Sequence, residues 1–551
     1  MHIFKKYSSS ASFSIFCFTL TVLIFSCHRE KGNWDDNLVA PIAEGQLGLS
    51  SLFPDTTIKT NTDSSLSLVF NSQLINYQLN DLLKIPDTAV VTKALDTVIA
   101  FFAFQPGATL FKSTDLATPT ENQFNLPNGI LLRYGTIHQG KINIKLYNTV
   151  RQPLVYHFQL ISATRNNHIL DTTINIPAAI YLPNRVLASK GFASASIDLT
   201  GYSIDLTGSA HNEFNTIVQS YTVSVANNAS ADTLFLNQGL IDSLFFKGVI
   251  PQYAQGYFGS QLVKIGPDTT LFNVFNQIRS GILNLNSATI GMNIVNQFGI
   301  EMQTNIQNLS SINSRNPSMV VLNATPFNAP IHINAATNNG PLLPVTVTTK
   351  SFTLNNGNSN ITSFIGNLPD KIAYTLQAQV NPNGMQNGYN DFGYYGTSFS
   401  AWLNANIPMN FGASNLVLGD TMAINMSGEN YFLKNINRGE LILTATNGYP
   451  FSIQLQGHLL DVNKVETDQL FSLPNLIQCP PLDANHKVVI PLQTKLFIPL
   501  NPSKITHLAS ARYIYYTATF NTPTTPARVI FYNNYTLKLL LTADINYSVV
   551  K

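Results

Sequence analysis

The sequence predicts an all-β protein: tandem β-sandwich-like modules with long antiparallel strands and few short helices. Three observations carry that expectation. The 551 residues are 44% apolar but only 11% charged, against about 25% charged in an average chain. The polar remainder is Asn, Thr, Ser and Gln, with 28 Pro and 31 Gly, a composition that suits extracytoplasmic strands better than charged helices. Past Gln46, apolar and polar residues alternate, as half-buried strands require. A strand–Asn–Pro–strand pattern also recurs at near-equal spacing.

The N-terminus reads as an export leader. Lys5 and Lys6 precede an apolar stretch from Phe13 to Ser26, with no acidic residue among them. The stretch is too short for a membrane span, which needs about 20 apolar residues. Its end, Ile24-Phe25-Ser26-Cys27, resembles the lipobox of bacterial lipoproteins, although Phe25 stands where that family carries a small or aliphatic residue. The resemblance implies a signal peptide over 1–26, lipidation of Cys27 and anchorage in a membrane through the lipid. His28 is not the Asp of inner-membrane retention, so the implied address is the outer membrane, its face left open. Asp35-Asp36 resembles the acidic tether of surface export. The alternative is a plain secretory signal or an uncleaved leader anchor. Residues 27–45 have low apolar content and are expected to form a tether, with Trp34 the one residue suited to dock.

At about 150 residues per domain, the rest divides into expected modules over 46–190, 191–345 and 346–551. Gly140 to Asn148 alternates and is followed by Gln152-Pro153-Leu154. Gly439 to Asn447 alternates and is followed by Tyr449-Pro450-Phe451. A weaker copy ends at Asn296, followed by Phe298-Gly299-Ile300. Repeats of one module explain the spacing; chance hairpins in an Asn-rich β protein are the alternative. Asn suits such turns because it tolerates the left-handed conformation. The motif resembles the strand core of LEA-2-like (WHy) β-sandwiches, a likeness confined to the motif.

Ser196 to Gly201 returns as Ser203 to Gly208. A seven-residue period would flip the face of one continuous strand, so two short strands joined at Gly201-Tyr202 are expected. Helical spacing places Leu271, Val274, Phe275 and Ile278 on one face, with Asp268 and Gly281 as caps. Leu79 to Ile85 forms another short turn before Pro86. At the end, Leu537, Leu539, Leu541, Ala543, Ile545, Tyr547 and Val549 share a face that only Leu540 breaks on the other side. The fourteen alternating residues from Thr536 to Val549 span roughly 46 Å at about 3.3 Å per residue. Asn533-Asn534 predicts a tight hairpin between it and Val529 to Tyr532.

The chemistry classes are mostly excluded. The net charge is +2, and loss of Lys5 and Lys6 with the leader makes the mature chain formally neutral. No basic run provides a nucleic-acid footprint. Gly135 to Lys141 has the phosphate-loop spacing, but Ile142 stands where a hydroxyl must bind magnesium, and the segment opens a strand. The ten His residues include no zinc pair, no Gly-x-Ser-x-Gly elbow occurs, and the Asp-Thr pairs are too isolated for calcium. No cofactor or metal is expected. His138 and His157 read as strand-face residues. Cys479 reads as a small buried hydrophobe, with a reactive thiol as the alternative. A Ser-His-Asp or carboxylate site drawn from distant segments leaves no mark in one sequence.

Two aromatic, glycine-rich segments remain, read as loops. One carries Tyr253, Tyr257 and Phe258; the other carries Tyr389, Phe392, Tyr394, Tyr395 and Trp402. Such rings stack on sugars or enter lipid, or they cover the ends of a sandwich. The expected function is therefore a non-enzymatic, lipid-anchored cell-envelope protein with a binding or structural role. The alternatives are a glycan-binding surface lipoprotein and a lipid-handling protein with an apolar groove. Expected partners are the membrane, a glycan or lipid, or other envelope proteins, and not nucleic acid.

Overall fold

The computed structural model describes residues 34–48, 53–96, 102–113, 120–340, 344–424, 436–471, 476–524 and 527–549. The leader and Cys27 lie outside them. Strand makes up 61% and helix 7%, so the protein is all-β, built of antiparallel sheets.

Three leading strands serve three different sandwiches: β1 (Trp34–Leu47), β2 (Leu66–Gln78) and β3 (Thr88–Asp96). The first sandwich continues with β4 (Thr109–Lys112), β5 (Thr120–Gln123), β6 (Leu131–Asn148), β7 (Leu154–Arg165), β8 (His168–Ile176), β9 (Gly191–Asp198), β10 (Ser203–Asp205), β11 (Thr216–Val225) and β12 (Gly239–Tyr257). One face runs β3-β12-β6-β9. The other runs from β4 and β5 through β11 and β7 to β8, and β10 pairs with both β6 and β7.

The second sandwich uses β13 (Leu262–Leu271), β14 (Thr289–Asn296), β15 (Met302–Asn313), β16 (Ser318–Val321), β17 (Thr348–Leu354), β18 (Lys371–Val380) and β20 (Ser398–Pro408), while β19 (Asp391–Tyr394), which precedes β20 in the chain, joins β12 of the first. Its sheets run β2-β20-β14-β17 and β13-β18-β15-β16. The third uses β21 (Asn410–Ala423), β22 (Ile436–Asn447), β23 (Ser452–Leu460), β24 (Glu466–Phe471), β25 (Leu492–Pro499), β26 (Tyr513–Asn521) and β27 (Leu537–Val549). Its sheets run β1-β27-β22-β25 and β21-β26-β23-β24. The same plan is thus built three times, with the leading strands consumed in nested order: β3 by the first copy, β2 by the second, β1 by the third.

This nesting redraws the expected boundaries. Residues 34–45 are no tether: β1 pairs with β27 from Trp34 opposite Val549 to Leu47 opposite Leu537, and Ile42, Ala43 and Leu47 are buried. An edge strand with one exposed face needs few apolar residues, so its composition resembles a linker's. The expected cut after 190 parts β9 from β6, its partner, and the cut after 345 parts β17 from β14. Two compact units result. One holds residues 53–278 and 282–412, the first two sandwiches; the other holds the described residues of 1–52, 279–281 and 413–551.

Asn148, Asn296 and Asn447 each end the third strand of their sheet and are fully buried. Their amides bond identically. Oδ1 accepts the backbone N–H two residues on, at 2.7 Å from Val150, 3.0 Å from Phe298 and 2.9 Å from Tyr449. Nδ2 donates to the carbonyl four residues on: Gln152 at 3.0 Å, Ile300 at 2.8 Å and Phe451 at 2.8 Å. It donates again to a carbonyl on a distant loop: Pro177 at 2.9 Å, Asn334 at 3.0 Å and Gln478 at 3.0 Å. Each amide satisfies three backbone groups where the chain crosses between sheets, groups that would otherwise be buried unpaired. None of the three has a positive φ, so the amide's bonding capacity selects Asn, and not tolerance of the left-handed region. The following strand enters the opposite sheet, so the motif is a crossover and not a hairpin. In two copies the loop adds a backbone bond, Ala179 N to Val150 O and Ala336 N to Phe298 O, both near 2.9 Å. Pro480 takes that place in the third copy and has no N–H to give.

The last strand is central, between β1 and β22. Leu537, Leu539, Leu541, Ala543 and Ile545 are buried, while Lys538 and Leu540 are exposed. The expected hairpin at Asn533-Asn534 does not form, because Val529–Ile530 pairs with β21 in the opposite sheet. The seven-residue repeat is split as expected into β9 and β10 around Gly201, φ +78°. Residues 268–280 hold only a 3₁₀ turn, Asn273–Phe275. Asp268 lies within β13, and Leu271 is 61% exposed. A short helix must repay its nucleation cost by burying a face, and here a strand ladder satisfies the backbone first. Leu79–Leu82 forms the expected turn of helix, with Asp81 accepting from Gln78 N.

Candidate functional site: a tyrosine and carboxamide cleft

The distal half of β12 and the facing part of β6 form the most irregular pairing in the first sandwich. Ile250 sits opposite Gln139 and Pro251 opposite Ile137, which leaves His138 without a cross-strand partner. Tyr253 sits opposite Thr136, which leaves out Gln252. Gln255 sits opposite Tyr134 and Gly256 opposite Leu132, which leaves out Arg133. Pro251 cannot donate to the ladder, and a Cβ on Gly256 would lie 2.2 Å from the Leu131 carbonyl oxygen. Bulges re-aim side chains. The three residues set aside are His138, Gln252 and Arg133, and all three meet the site.

Beyond the end of β3, β12 takes β19 as its neighbour, with Tyr253 opposite Tyr394. Three adjacent strands therefore present Tyr134, Tyr253 and Tyr394 in a row. Ring centroids are 6.2 Å apart between Tyr134 and Tyr253 and 4.7 Å apart between Tyr253 and Tyr394. The rings line a recess of about 350 Å³ together with Gln252, Gln255 and Asn338. Tyr394 Oη donates to Asn338 Oδ1 at 3.0 Å. His138 stacks on Tyr395 at 3.8 Å, with its Nδ1 3.0 Å from Gln252 Oε1. The Gln252 carbonyl accepts from Tyr395 N at 2.8 Å, which ties the bulge in place. Burial, with Tyr394 and Tyr134 beside it, pushes the Tyr253 phenol up to about 12, so it stays a neutral donor at physiological pH. A second recess of about 360 Å³ shares Tyr134 and Gln255 and adds Arg133, Asp205, Thr207 and His211.

The eight expected aromatic contacts divide. Tyr253, Tyr394 and Tyr395 come together. Tyr253, Tyr257, Phe392, Tyr394 and Trp402 stand on strands and not on loops. Phe258 is fully buried, and Phe392 is buried against Gly299, where even a Cβ would strike its ring. Both are core. Tyr389 packs on Phe214 at 4.4 Å. Tyr257 is half-buried on β12, and its phenol is pushed up by burial and by Asp391. Trp402 is half-buried on β20, and among the described residues no ring contact joins it to the tyrosine row. Tyr134, His138, Arg133, Gln252, Gln255 and Asn338 were not foreseen. Only Tyr134, alternating with Thr136 and His138 on β6, left a sequence signal.

The surroundings bear on the rival chemistries. An apolar cavity inside the first sandwich, lined by residues such as Leu160, Ile217 and Phe246, measures about 90 Å³. A cavity of about 150 Å³ is what holds one benzene. His211 Nδ1 lies 3.2 Å from Asp205 Oδ2 and 3.0 Å from Thr207 Oγ1. A relay needs acid and nucleophile on opposite ring nitrogens; here both meet the same one. Among the described residues, no group of three or more His, Cys, Asp or Glu is placed to hold a metal ion, and no helix is long and apolar enough to cross a membrane. Burial pushes the Cys479 thiol up to about 11, which keeps it protonated and poorly nucleophilic at neutral pH.

No family model and no curated protein matches the chain. Among solved structures, a protein from Parabacteroides distasonis described as secreted aligns over 93% of this chain and 99% of its own, at 9% identity and a TM-score of 0.28. A likeness that slight bears on neither the fold nor the site.

Proposed function

We propose that the protein is a non-enzymatic, lipid-anchored binding protein of the cell envelope, outside the cytoplasm, whose tyrosine and carboxamide cleft holds an oligosaccharide. The observation that carries this reading is the row of Tyr134, Tyr253 and Tyr394 around a recess edged by Gln252, Gln255 and Asn338. A pyranose has an apolar C–H face and an equatorial rim of hydroxyls. Tyrosine rings take the face, and neutral carboxamides both donate to and accept from the rim. The anchor is supported by Lys5, Lys6, the apolar leader and Ser26-Cys27, and the outer membrane by His28 after the lipidated Cys.

Two measurements check these parts separately. Cells fed labelled palmitate should label the wild-type chain and not Cys27→Ser; label on both, or on neither, removes the anchor. On an immobilised polysaccharide panel, Tyr253→Ala should lose at least about tenfold in affinity, or roughly 1.4 kcal/mol, for whichever glycan the wild type retains. Trp402→Ala, outside the row, should bind as the wild type does. Equal retention by Tyr253→Ala rules out the cleft.

A further inference from the structure

We propose that the glycan held by this cleft carries a carboxylate, and that Arg133 selects it: the ligand class is an oligosaccharide containing a uronic acid. The proposal rests on the glycan reading and specifies its chemistry. In a regular strand, neighbouring residues point to opposite faces. The bulge at Arg133 breaks that rule, so Arg133 and Tyr134 both line the recess of about 360 Å³ that adjoins the tyrosine row. The bulge is fixed from two sides. The Arg133 carbonyl accepts a hydrogen bond from Leu206 N at 2.9 Å, and Gly256 passes Leu131 too closely for any side chain.

The other charged groups of the recess are committed. Asp205 Oδ1 accepts from the Thr207 N–H at 2.9 Å and from the Thr207 hydroxyl, while its Oδ2 faces His211. Among the described residues, the exposed Arg133 guanidinium has no such partner. A guanidinium presents a planar fork of donors that matches a carboxylate with two parallel bonds. Tyr134 belongs to both recesses. A uronic acid can therefore lay its ring along the tyrosines and turn its C6 carboxylate toward Arg133, whereas a neutral hexose offers the fork only a hydroxyl.

The test is calorimetric titration of the mature chain with oligogalacturonate as the free acid and as the full methyl ester. Esterification removes the charge and leaves the ring. The free acid should bind at least about tenfold more tightly, and added salt should shrink that preference. Arg133→Met should abolish the preference and leave the affinity for the ester within about twofold of wild type. Equal affinity of the wild type for acid and ester overturns the proposal, as does a preference that survives Arg133→Met or binding of neither form. Failure of the glycan reading looks different: Tyr253→Ala then binds every glycan of the panel as the wild type does.

Discussion

Asn447→Ala is expected to lower the stability of the third sandwich by about 3–5 kcal/mol in urea titration. The side chain is fully buried and serves Tyr449 N–H, the Phe451 carbonyl and the Gln478 carbonyl. Ala removes all three bonds at once, and each buried group left unpaired costs about 1–3 kcal/mol. Asn447→Asp keeps the acceptor, loses both donors and buries a charge, so it should fare no better at neutral pH. Asn485, exposed on a turn, is the control, with an expected change within about 0.5 kcal/mol. Asn148→Ala and Asn296→Ala should fall in the same class as Asn447→Ala. A loss below about 1 kcal/mol at all three sites would mean that water replaces the amides and that the knots are incidental.

The second large effect belongs to the final strand. Leu541 is fully buried on the inner face of β27, so Leu541→Ala should cost about 2–5 kcal/mol through lost transfer energy and the cavity left behind. Thr542→Ala, on the half-exposed outer face, should cost under about 0.5 kcal/mol. Removing residues 536 to 551 is more severe than the loss of an edge, because β27 has β1 on one side and β22 on the other. Both partners would then expose unpaired ladders, which invite aggregation, and the truncated chain should be insoluble. A soluble truncation with an unchanged melting temperature would contradict the pairing of the two ends.

What was legible in the sequence follows from how local the physics is. The last strand announced itself because one residue in two meets the core, and that period is written into consecutive positions. The Asn crossovers were found by residue type and spacing, although the reason for Asn emerged only from its three backbone partners, two of them within four residues and one a carbonyl on a distant loop. The nesting was hidden. β1 is half exposed and finds its partner at the opposite end of the chain, so its own residues resemble a linker. Leu271 to Ile278 misled because its buried Phe272, Val274, Phe275 and Ile278 fit a strand end with a 3₁₀ turn as well as a helix. Aromatic density pointed to Tyr253, Tyr394 and Tyr395. Arg133, Gln252 and His138 had no such signal. Their direction depends on bulges, and a bulge is a property of two strands in register.

On the proposed reading, bulges in the first copy of the repeated sandwich build a sugar-binding cleft. A crystal structure of the mature chain with the panel's bound oligosaccharide decides it. A sugar ring is expected against Tyr253, with its hydroxyls on Gln252, Gln255 or Asn338. A sugar bound elsewhere on the chain, with the tyrosine row bare, would contradict it.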